Sequence, residues 1–171
     1  MLTDRELRRG VREQLVEAKV NYGDQAVMHL FKRLIPKSWS QAQIYNCLVE
    51  YGLDESRYVI STGLRRGQVV DFFAVYPEDW MKITSCKERP RHDLKILYQK
   101  GYIKELGTAR LMLGHRKCTT IRISWMPLLF DIRQKAKSLK DYQSWNRPGA
   151  DTPVEDYDSE FSFEPQDVIS N

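Results

Sequence analysis

Leu7, Val11, Leu15 and Ala18 recur at intervals of four, four and three, which puts one narrow apolar stripe on an otherwise charged helix. Thr3 and Glu6 mark its start as a capping-box pair, in which hydroxyl and carboxylate satisfy each other's orphan backbone donors. Asn21, Tyr22 and Gly23 end it. From Asp24 a second helix is expected, with Val27, Met28, Leu30, Phe31, Leu34 and Ile35 surrounding most of the cylinder until Pro36 stops it. Such an element should be buried. Ser40 and Gln43 form a second capping box leading into Ile44, Cys47, Leu48 and Tyr51, so a third helix is expected over 41–51 with Gly52 as its left-handed C-terminal residue. Asp54 then opens a short fourth helix through Tyr58, Val59 and Ile60.

The pattern changes after Gly67. Residues Val69 to Tyr76 are β-branched and aromatic and end at Pro77, which predicts a strand, and Glu78 to Thr84 reads as a short helix. Residues 91–100 read as a helix with Leu94, Leu97 and Tyr98 on its core face, Pro90 in its first turn and Gly101 at its end. Two strands follow, Tyr102 to Leu106 and Cys118 to Trp125, with Gly114, His115, Arg116 and Lys117 as the polar tip between them. In the second strand Ile121, Ile123 and Trp125 alternate with Thr120, Arg122 and Ser124. Beyond Pro127, the residues Leu129, Ile132, Ala136, Leu139 and Tyr142 mark a closing amphipathic helix that fades near Trp145. No fixed-period repeat is present.

These elements predict a mainly α chain with a small antiparallel β-hairpin or sheet, an α+β class. Four segments are expected: N-terminal helices over 1–36, a core over 37–126, an amphipathic helix over 127–147 and a tail over 148–171. The single stripes of the helices at 3–20 and 127–145 suit either a two-fold dimer interface or packing onto their own domain.

Apolar residues at 42% and charged residues at 29% of the 171 fit a chain that folds in water. No apolar run approaches the roughly 20 residues needed to span a bilayer. The N-terminus is charged where a signal peptide would be apolar, and Cys47, Cys86 and Cys118 are odd in number, so a cytoplasmic protein without disulfides is expected, nucleoid-associated if prokaryotic.

Charge is distributed unevenly. The whole chain is at +4, but 148–171 holds seven acids and no Lys or Arg, so 1–147 is at +11. The tail lacks any helical or strand period and is expected to be disordered. A body this basic attracts polyanions, and its own tail competes for the same surface. Between Lys87 and Arg122 ten Lys or Arg stand against Glu88, Asp93 and Glu105, a window at +7.

The run Leu94, Leu97, Gly101, Tyr102, Ile103, followed by a strand, a basic turn and another strand, resembles the winged helix-turn-helix superfamily of DNA-binding proteins. The resemblance covers about 85–125 well and 40–84 loosely. It implies that helix 91–100 enters a major groove while the hairpin tip touches adjacent phosphates or the minor groove. Arg91, Lys95 and Gln99 are then the base-reading candidates, Arg and Lys toward guanine and Gln toward adenine. Lys87, Arg89, His92, Lys100, Arg110, His115, Arg116 and Lys117 complete the expected nucleic-acid surface. The function so implied is a sequence-specific transcription regulator on double-stranded DNA, expected to be homodimeric. Two alternatives share the fold: an adaptor whose basic face meets an acidic protein, and a binder of replication origins on chromosomes or mobile elements.

Other constellations are weaker. The pair at 40–63 is a rival helix-turn-helix with Ser56, Arg57 and Ser61 facing outward, but it is poor in basic residues. Cys86, His92, His115 and Cys118 lack standard zinc spacing. Asp71, Glu78 and Asp79 near Lys82 invite a metal-dependent nuclease reading, yet acids at a helix start more often serve the helix dipole. No phosphate-binding loop, dinucleotide fingerprint or hydrolase elbow is present, so neither catalysis nor a cofactor is expected.

Overall fold

The structure, a computed structural model, describes residues 2–58, 72–110 and 117–141. Within them the chain runs α1 (Asp4–Tyr22), α2 (Asp24–Leu34), α3 (Trp39–Gly52), β1 (Phe73–Val75), α4 (Pro77–Thr84), α5 (Arg91–Gln99), β2 (Ile103–Arg110), β3 (Lys117–Ile123) and α6 (Trp125–Ala136). It is the mainly helical α+β arrangement that the periodicity predicts. None of the described helices is long and apolar enough to cross a membrane.

The sheet is antiparallel throughout, in the order β1-β3-β2. Phe73 pairs with Ile121 and Val75 with Thr119, while Ile103 pairs with Ile123 and Arg110 with Lys117 across the hairpin. A bulge between Glu105 and Gly107 shifts the register of β2. Four successive residues of β3, Cys118 to Ile121, are buried, so both faces of the strand are covered there and the alternation expected of a half-exposed strand is lost. The strand also stops earlier than its pattern suggests: Trp125 begins α6, with Pro127 in the first turn, where a missing N–H costs nothing.

One continuous cluster of buried side chains joins all the helices to the sheet. The α1 stripe of Leu7, Val11, Leu15 and Ala18 is buried inside this chain. Gly10 lets α1 approach α6 so closely that an added Cβ would lie 3.0 Å from the Leu129 side chain. Asp4 binds Arg122 at 2.8 Å and Arg12 donates to the Leu53 carbonyl, which fixes α1 against the sheet and the end of α3. The Thr3 capping box forms as expected, with Thr3 N–H to Glu6 at 2.9 Å and Glu6 N–H to the Thr3 hydroxyl at 3.2 Å. α2 buries Val27, Leu30, Phe31, Leu34 and Ile35, as its wrapped apolar pattern requires.

Three local expectations give way to packing. Ser38, not Ser40, caps α3, accepting from the Gln41 N–H at 3.2 Å, because the Ser40 hydroxyl is bonded to Asp93. Gly52 is the last residue of α3 rather than a left-handed terminator, and its small size is used for contact: a Cβ there would lie 2.9 Å from the Trp125 ring and 3.0 Å from Phe73. After α3 only a single 3-10 turn, Glu55–Arg57, forms within the described residues, since Tyr58 leaves it extended and bridges to Phe73. Val59, Ile60 and residues 69–71 of the predicted elements lie outside the described residues.

Candidate nucleic-acid interface

The α5 helix is held at both ends. At its start the Asp93 carboxylate accepts from the Ser40 hydroxyl at 3.2 Å and from the Gln41 side-chain amide at 3.3 Å, so the one acid of this helix is spent on α3. At its end Gly101 takes φ +81, and the N–H groups of Gly101 and Tyr102 donate to the carbonyls of Tyr98 and Leu97, both at 3.0 Å. That closure requires glycine. Tyr102 then turns inward: its ring lies 5.1 Å from Tyr45 and its hydroxyl donates to the Leu34 carbonyl at 3.2 Å. Burial, with the Asp131 carboxylate nearby, raises the pKa of Tyr102 above the usual phenol value and keeps that donor protonated. Leu94 and Leu97 are buried between these anchors, which sets the rotation of the helix.

The opposite face of α5 opens onto a groove. Its larger part, about 570 Å³, lies between the sheet and the turn joining α4 to α5, with Val75, Pro77 and Trp80 against Lys87, Glu88, Arg89, Arg91 and Lys117. A second hollow of about 310 Å³ shares Arg89 and Arg91 and adds Leu94, Lys95 and Tyr98. The two hollows adjoin at Arg89 and Arg91, and between them they are lined by five cations and a single acid, Glu88. The turn is shaped by Ser85 at φ +63 and by the Thr84 hydroxyl, which donates to the Trp80 carbonyl at 2.9 Å and accepts from the Cys86 N–H at 3.3 Å.

Of the residues expected at the interface, Lys87, Arg89, Arg91, Lys95 and Lys117 come together around this groove. His92, Gln99 and Lys100 are exposed on α5 and just after it but do not line it. Arg110 ends β2 opposite Lys117, and His115 and Arg116 lie outside the described residues. Arg122, counted in the +7 window, is committed to Asp4.

Tyr98 corrects the reading of the helix. Its i+4 spacing from Leu94 predicts a core residue, yet it is 55% exposed and lines the groove, because Tyr102 supplies the aromatic packing at that end of the helix. Its position seven residues after Arg91 and three after Lys95 is the sequence signal for the basic face.

Arg57 is not an outward residue: its guanidinium grips Asp79 at 2.7 and 3.1 Å and lies 3.9 Å from the centre of the Tyr51 ring. Asp79 also accepts from the Tyr76 N–H at 2.8 Å, so its oxygens are occupied by structural donors. Ser56 bonds to Asp54, and Ser61 and Asp71 lie outside the described residues. Cys118 is buried while Cys86 is exposed, and among the described residues no three His, Cys, Asp or Glu are placed to hold a metal ion. Compared with protein-family models, curated proteins and solved structures, the chain matches none of them.

Proposed function

We propose that this chain is a sequence-specific DNA-binding regulator whose core is a winged helix-turn-helix, with α5 in the major groove and the β2–β3 hairpin against the flanking backbone. The succession α3, β1, α4, α5, β2, β3 with strand order β1-β3-β2 supports the winged reading. The observation that carries the proposal is the concave surface on which cations from the α4–α5 turn, α5 and β3 converge. Basic residues scattered on a solvated face would not line one groove drawn from three separate segments. A polyanion lying along these hollows faces all of them at once, and duplex DNA offers a groove that admits a helix beside phosphates for the turn and the strand. Phosphate contacts supply affinity and the α5 side chains supply the choice of sequence.

Binding of the full chain to duplex DNA across a salt series tests this. Three phosphate contacts, from Lys87, Arg89 and Lys117, give a slope of log affinity on log salt of about −2.7. Lys117→Glu is expected to weaken binding to every sequence alike and to flatten that slope by about 1 or more. Absence of binding at low salt, by the full chain and by a chain ending at Pro148, would overturn DNA in favour of an acidic protein partner.

A further inference from the structure

We propose that Tyr98 reads thymine, packing its ring against the 5-methyl group that thymine displays in the major groove. This rests on the DNA-binding reading above. Tyr98 is a large aromatic left 55% exposed on a helix whose neighbouring Leu94 and Leu97 are buried. The hollow beside it is walled by Arg89, Arg91 and Lys95, so whatever these cations hold is presented to the ring.

Arg91, Lys95 and Tyr98 stand at i, i+4 and i+7, one face of the helix. At a rise of about 1.5 Å per residue they span about 10 Å. Three base-pair steps of about 3.4 Å cover the same length. Two of the three side chains are donors suited to guanine O6 and N7, and the third offers an apolar ring. In the major groove the thymine methyl is the one apolar mark that distinguishes a base, and a ring edge at its level gains contact only where that methyl is present.

The duplex preferred by the full chain is selected from a random pool, and each thymine in it is then replaced by deoxyuridine, which removes only the methyl. Wild type is expected to lose about fourfold in affinity at one thymine, the worth of one buried methyl group. Tyr98→Phe keeps this discrimination. Tyr98→Ala binds the thymine and uracil duplexes alike. Indifference of wild type to the methyl at every thymine overturns the proposal, as does thymine preference retained by Tyr98→Ala. A Tyr98→Ala chain that loses single-stranded more than duplex binding overturns it too, in favour of a stacking platform. If neither wild type nor a chain ending at Pro148 binds duplex at low salt, the DNA-binding reading itself fails, a result distinct from these.

Discussion

Asp79 accepts three hydrogen bonds, two from Arg57 and one from the Tyr76 N–H, and is 3% exposed. It thereby ties the start of α4 to the segment that follows α3. Removing one partner of a buried ion pair strands the other, here a guanidinium that is itself only 21% exposed. Asp79→Ala is expected to lower the unfolding free energy by about 3 kcal/mol in urea titration. DNA affinity per folded molecule should stay as in wild type, since Asp79 does not line the groove. A loss of DNA affinity with unchanged stability would instead give this carboxylate a role in binding. From the sequence, Asp79 was one of a cluster of acids open to a catalytic reading; only the position of Arg57, 22 residues away, decides its use.

Among the elements, α3 and α6 meet where Gly52 faces the Trp125 ring, and this contact sets how closely the helical layer approaches β1 and β3. Alanine at a helical glycine ordinarily gains up to about 1 kcal/mol. Here the new Cβ would fall 2.9 Å from a buried indole and 3.0 Å from Phe73, and forcing a methyl into a filled core costs about 1–3 kcal/mol. Gly52→Ala is therefore expected to destabilise the protein by about 1 kcal/mol net. A rise in the urea midpoint would show that the rings move aside at no cost. The limits of α5 were legible in Pro90 and Gly101, because both residues act through their own backbone. The double burial of β3 was not, since it depends on elements far apart in the chain covering both faces of the strand.

At the scale of the molecule, the charge asymmetry matters most. The body over 1–147 is at +11 and the segment 148–171 at −7, and the latter lies outside the described residues. A segment tethered to the same chain acts at an effective concentration on the order of mM. Even a weak attraction between the tail and the groove then occupies a good part of the cationic surface. A chain ending at Pro148 is expected to bind duplex DNA about twofold or more tighter than the full chain at moderate salt, the difference closing as salt screens both interactions. Equal affinities at low salt would show that the tail does not compete.

The sequence by itself determined what acts locally: the Thr3 capping box, the α1 stripe, the wrapped apolar pattern of α2, the glycine at the end of α5 and the basic window from Lys87 onward. Each follows from spacing or backbone chemistry within a few residues, and packing left it in place, unlike the Ser40 capping box, whose hydroxyl is drawn to Asp93. Only the tertiary structure decided which cations border the same hollows, that Arg122 is spent on Asp4, and that Tyr98 faces outward while Tyr102 packs on Tyr45. Those outcomes depend on contacts between residues far apart in the chain, where burial and pairing are settled by competition for one interior and not by the local pattern.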